Sequence, residues 1–200
     1  MKLEHRYKYE CDSLLLLVDE FEKTSKRYEN ENENEASILS ITAYDMNEYQ
    51  APKYISNYKT LLTSFLLIEI QALLDFILPI IVKNLATSKD IPISPFDKTW
   101  KNGNVLCWTK HVIKDEIKSG YDFGCAPFSE LQKFYKIRND QIHSGGYLSD
   151  ERQRDIINRL EGVYTCQYTD LYVIDFLYCR NVISNVESFF HGIHESISNK

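Results

Sequence analysis

Phe134-Tyr135-Lys136-Ile137-Arg138-Asn139-Asp140-Gln141-Ile142-His143-Ser144-Gly145-Gly146 is the stretch from which the rest of this chain is best read. Its spacing is helix-forming as far as His143, and the paired glycines then break it. Leu131, Tyr135, Arg138 and Ile142 recur at intervals of four, three and four, which predicts a helix face turned toward a core. Arg138 stands on that line. A guanidinium is costly to bury unless something pairs it or it lines a cleft.

Working outward, the strongest helical pattern lies upstream, over residues 54–86. Leu62, Leu66, Glu69, Leu73, Phe76 and Ile80 alternate spacings of four and three. Glu69 is the charged member of this second line, so a Glu69–Arg138 pair is the natural expectation. Pro79 should kink or end this helix near Leu78. A first helix is expected over 3–28, from Leu3, Tyr7, Cys11, Leu14, Val18 and Phe21. The Glu29-to-Glu35 tract of alternating Glu and Asn then reads as a solvated loop or a frayed helix end. A short helix is expected over 36–50, and Pro52 suits entry to the next element.

Residues 87–98 read as a loop and 99–119 as helix, interrupted at Asn102-Gly103-Asn104. Pro127 or Ser129 opens the helix that carries Arg138 and His143. Residues 150–160 suit another short helix. The β-branched and aromatic run 163–174 predicts a two-stranded hairpin or an extended segment, with Thr169-Asp170 as a turn. A last helix follows from Asp175. The expected fold is all-α: a single domain over 1–200 of five to six helices, two long antiparallel ones at its centre, with a small hairpin near 163–174.

Composition agrees with this class. The 200 residues include only 7 Gly and 5 Pro, which disfavours a turn-rich all-β chain. The net charge of −6 places any nucleic-acid contact in a local cleft rather than over the whole surface. The 5 Cys form no C-x-x-C pair and are odd in number, which points to reduced thiols in a cytosol rather than to a zinc ribbon or a disulfide framework. The N-terminus is too charged for a signal peptide. The apolar run 61–82 is interrupted by Glu69, Gln71, Asp75 and Pro79 and is not read as a membrane span. Phosphate-loop, dinucleotide-binding and nucleophile-elbow motifs are absent. His191 and His194 lie three apart near Glu187 and Glu195, a spacing that can bind metal but here suits a solvated helix face. His111 with Lys110 and Lys114 makes a small basic patch. Trp100 and Trp108 suit a core.

The Arg-Asn-x-x-x-His pattern of Arg138, Asn139 and His143 on a late helix resembles the signature of the HEPN superfamily, small helical proteins that include metal-independent RNases. The resemblance implies a helical bundle whose motif helix faces a second copy. It implies Arg138, Asn139 and His143 as catalytic residues; Glu69, from its place on the apolar line, and Asp140 are the expected supporting residues. It implies RNA as substrate, products ending in 2′,3′-cyclic phosphate, no cofactor and no metal. A toxin or antiphage role in the cytoplasm, with an antitoxin or defence partner, is part of the same expectation. One branch of the family carries a Tyr two residues after the His; here that position is Gly145, and the nearest Tyr is Tyr147.

The chemistry can also be argued from the residues. Residues five apart on a helix lie about 140° around its axis, so Arg138 and His143 do not stack, whereas Asn139 and His143 do. A homodimer would gather two Arg, two Asn and two His into one cleft. Imidazole can move the proton of an RNA 2′-hydroxyl, and guanidinium can stabilise charge on the phosphate. Two other readings use the same residues. One is a non-catalytic HEPN-like module that binds nucleotide, RNA or a protein. The other is an adaptor in which Arg138 and Glu69 only fix helix register and His143 caps a helix end.

Overall fold

The structure is a computed structural model, and it describes residues 3–42, 51–97, 104–144, 146, 151–165 and 172–198. Its elements run α1 (Leu3–Thr42), α2 (Ala51–Ser88), α3 (Val105–His111) continued by a π-helical turn (Val112–Glu116), α4 (Ala126–Ser144), α5 (Glu151–Ile157), β1 (Val163–Thr165), β2 (Tyr172–Ile174) and α6 (Phe176–Ser198). The chain is therefore mostly helical with one small antiparallel hairpin, the all-α class read from the sequence.

Two helices exceed their expected limits. α1 continues through the acidic tract to Thr42 instead of stopping near residue 28. Extending an existing helix costs little, because each added residue gains a backbone hydrogen bond without a new nucleus, and Glu is a good helix former. Residues 36–42, expected in a separate helix, are the end of α1; residues 43–50 lie outside the described set. α2 passes through Pro79 to Ser88. The hydrogen bond lost at the proline is offset by burial of Ile77, Leu78, Ile81 and Val82 around it. Its segment Lys59–Ser88 is long and apolar enough to cross a bilayer by length and composition, with 56% of the most apolar window buried within the protein.

Starts and stops follow local chemistry. Pro52 and Pro127 each occupy the second position of their helix, where a missing N–H costs nothing. Asn104 caps α3 by accepting from the Cys107 N–H at 3.0 Å. Trp100, Asn102, Gly103 and the Thr169-Asp170 turn lie outside the described residues.

The chain divides into two compact units. The first comprises Met1–Leu14, Ile68–Lys136 and Asn181–Lys200. Its centre is aromatic: Phe128 meets Phe123 at 5.0 Å and Phe189 at 5.6 Å between ring centroids. Tyr7 packs edge-on against Phe190, and buried Trp108 donates from Nε1 to the Ser94 carbonyl. Buried Gln71 donates to Tyr135 Oη at 2.6 Å.

The second unit comprises Leu15–Leu67 and Ile137–Arg180. Arg180 of α6 binds Asp19 and Glu22 of α1, and Phe21 lies against Phe65. Lys59 of α2 bonds Asp175 at 2.6 Å, while Asp175 also accepts from the Leu177 N–H at the start of α6. The hairpin pairs Val163 with Ile174, Tyr164 with Val173 and Thr165 with Tyr172. Tyr172 and Ile174 are buried and Tyr164 is exposed, the alternation expected of a strand with one covered face. Gly162 enters β1 at φ +80°, where a Cβ would stand 2.5 Å from the Tyr178 backbone nitrogen, so only glycine fits.

The described cysteines Cys11, Cys107, Cys125 and Cys179 are free thiols. Cys11 and Cys179 are fully buried, and burial pushes each thiol up to about 12.

Candidate functional site

The last turns of α4 carry the candidate site, and the buried line along this helix differs from the one expected. Leu131, Phe134, Ile137 and Gln141 are buried, one position before the expected Tyr135, Arg138 and Ile142 from the second member onward. Tyr135 is itself buried on the flank, Arg138 is half-buried and Ile142 is exposed. α2 is also displaced by one position, but toward its C-terminus. Thr63, Leu67, Ile70, Leu74, Ile77 and Ile81 are the fully buried series, while Glu69 is half-buried and Phe76 is 52% exposed. Each charge therefore sits on the shoulder of its buried line rather than within it.

This changes the account of Arg138. Its Nη1 donates to Asn139 Oδ1 at 3.1 Å, on its own helix. Its Nε is buried with no hydrogen-bond partner. The ion pairs of the described residues include none at Arg138 and none at Glu69, which belongs to the first unit. Arg138 and Glu69 are each half-buried, so water can screen either charge.

Asn139 and His143 are exposed one helical turn apart and so share a face, with Ile142 beside them at 37% exposure. Asp140 is half-buried; after burial itself, its charge is the second influence that pushes the Tyr172 hydroxyl up from its ordinary range. The arrangement offers a fixed cation with one unfilled donor, an amide beside it, and an imidazole open to solvent. Such groups can bind a phosphate and move a proton.

Sequence reasoning missed Gln141. It is 5% exposed, donates from Nε2 to Ser64 Oγ at 3.3 Å, and leaves Oε1 without a partner. A signal for it existed: the line Leu131, Phe134, Ile137, Gln141 carries as many apolar residues as the line through Arg138, and its polar member is uncharged. A neutral amide costs far less to bury than a guanidinium. Also missed was β2 as the partner of this helix end. Tyr172 Oη donates to the Ile137 carbonyl at 3.1 Å, and the Tyr172 N–H to the Gly146 carbonyl at 3.0 Å.

Among the described residues, no group of three or more His, Cys, Asp or Glu side chains could hold a metal ion. His191 pairs with Glu195 at 3.2 Å on an exposed face of α6. The expected basic patch at His111 is answered by carboxylates, since its ring nitrogens lie 2.9 Å from Asp115 and 3.2 Å from Glu116. Lys110 is turned over the Phe128 ring, 5.4 Å from its centroid.

No family model, no curated protein and no solved structure matches the chain significantly.

Proposed function

We propose that this protein is a metal-independent endoribonuclease of HEPN type, whose cleft forms where the motif helices of two copies meet. The observation that carries the reading is the end of α4. There a half-buried Arg138 keeps Nε without a partner, beside an Asn139 and a His143 that are both open to solvent. An RNA phosphate would accept from Arg138 and neutralise a charge that no side chain pairs among the described residues. His143 takes the 2′-hydroxyl proton or returns one to the leaving oxygen, and Asn139 orients the phosphate or the ring. The 2′-oxygen attacks phosphorus, the bond to the 5′-oxygen breaks, and a 2′,3′-cyclic phosphate remains. A toxin or antiphage role in the cytoplasm, with a cognate partner protein, goes with this reading.

The test is cleavage of end-labelled RNA by purified protein in EDTA, with product ends identified and the oligomeric state measured by light scattering. His143→Ala and Arg138→Ala should each lower cleavage at least 100-fold, on the order expected for a lost acid–base group, with helical circular dichroism unchanged. Cleavage by His143→Ala at the wild-type rate removes the assignment. A second reading is a helical module that binds a protein partner without turnover. Leu61 at 65% and Phe65 at 45% exposure favour it, because they flank the Ser64 that Gln141 contacts. Wild-type protein that neither cuts nor binds RNA would select it.

A further inference from the structure

The last two turns of α4 are grasped by β2. Tyr172 Oη donates to the Ile137 carbonyl at 3.1 Å, the residue directly before Arg138. Seven residues after Arg138's neighbour Asn139, the Gly146 carbonyl accepts the Tyr172 N–H at 3.0 Å, and the Gly146 N–H reaches back to the Asp140 carbonyl at 3.5 Å. One strand residue thus holds the helix by its side chain on one side of the motif and by its backbone on the other. Gly146 lies at φ +81°, where a Cβ would stand 2.8 Å from Gln141 Oε1 and 3.0 Å from the Tyr172 carbonyl oxygen. The chain can close this tightly on the helix only through glycine. Gln141, buried between them, adds the bond to Ser64 of α2. Arg138, Asn139 and His143 themselves make no bond to the hairpin among those described.

From this clasp we infer that Tyr172 is a positioning residue: through the Ile137 and Gly146 carbonyls it fixes the direction in which the α4 terminus presents Arg138, Asn139 and His143. The role of that terminus as a nuclease site rests on the function proposed above; the fixing of the terminus does not. A tyrosine at this place in β2 has two tasks. The ring fills the covered face of the hairpin, and the hydroxyl reaches a helix carbonyl that a phenylalanine could not reach. Buried hydrogen bonds of this kind are directional, so losing one loosens orientation more than it loosens packing. Active groups must be held within a fraction of an ångström to act, and a small misplacement lowers turnover rather than binding.

The experiment compares the full-length wild type with Tyr172→Phe, with Gly146→Ala as a second disturbance of the clasp that leaves the ring intact, and with Tyr164→Phe on the exposed side of the hairpin as control. Hydrogen exchange is followed by amide, and RNA cleavage by kcat and KM. Tyr172→Phe should raise exchange at least tenfold at residues 138–144 while the protection of α1 and α6 stays within twofold. It should also lower kcat about tenfold with KM within twofold, the pattern of lost orientation. Gly146→Ala should reproduce the local exchange, and Tyr164→Phe should change neither quantity. If wild-type protein does not cut RNA but the local exchange appears, the nuclease reading falls and the positioning role stands. If exchange at 138–144 is unchanged, or rises only in step with the whole chain, the positioning role is overturned whatever the cleavage result. Should Tyr172→Phe fail to fold, the same judgement is made on Gly146→Ala.

Discussion

The two halves of α4 are held by different physics. Its first half buries Phe128, Leu131 and Phe134, with Phe128 inside a set of rings that includes Phe123 and Phe189. Its second half buries Ile137 and Gln141 and is anchored by hydrogen bonds to Ser64 and from Tyr172. Packing resists being pulled apart but tolerates small rotations, whereas a hydrogen bond tolerates little rotation and contributes less energy. The half that needs strength has rings; the half that carries the open polar face has directional contacts.

Substitutions can break this contrast in order of size. Phe128→Ala should cost about 3–5 kcal/mol, because it removes a fully buried ring and leaves a cavity; urea denaturation measures it, and a loss below about 1 kcal/mol would mean that the ring cluster contributes little. Gly146→Ala should cost about 1–3 kcal/mol through a strained left-handed residue, with the structural change confined to the α4 terminus in hydrogen exchange. His143→Ala should stay within about 0.5 kcal/mol of wild type, as for any exposed side chain, so that lost cleavage cannot be blamed on lost folding.

The Lys59–Asp175 pair sharpens the comparison through pH. Burial works to raise the Asp175 carboxyl, but the hydrogen bonds from Lys59 and the Leu177 N–H outweigh it and hold the group below the usual carboxylate range. A carboxyl lowered by folding contributes stability above its unfolded value of about 3.9, and that contribution is lost as pH falls through the folded value. The urea midpoint of Asp175→Asn should therefore lie below that of wild type by a constant amount from pH 7 to about pH 5, worth about 1 kcal/mol for a half-buried pair. The gap should close below about pH 4. A gap that persists unchanged in acid would show that the asparagine disturbs something other than the charge.

How much was legible in the sequence depends on how crowded each helix is with apolar residues. On α1 the expected line holds in part: Tyr7, Cys11 and Val18 are buried, while Leu14 and Phe21 are half-buried. α2 is apolar nearly all round, so neighbouring lines fit the same period, and α4 offers two lines of equal apolar content. The deciding criterion there is the cost of the least apolar member. Thr63 and Gln141 are cheaper to bury than Glu69 and Arg138, and the structure takes the cheaper line in both helices. The helical class, the hairpin and the last helix were readable from local propensity and turns. The clasp of Tyr172 on Ile137 was not, since it joins residues 35 apart and no local pattern encodes it. Of the candidate residues, the Asn139–His143 spacing was readable from helix geometry alone, while the half-burial of Arg138 depends on which line faces inward.

Each compact unit encloses its own protected thiol, Cys11 in the first and Cys179 in the second. Burial holds both thiols in their protonated form well above the usual cysteine range. Alkylation at either cysteine therefore waits for water to enter around it, and the rate at each peptide becomes a clock for the breathing of that unit. The molecule comes with two such clocks already installed, and their agreement or disagreement would tell whether it opens as one body or as two.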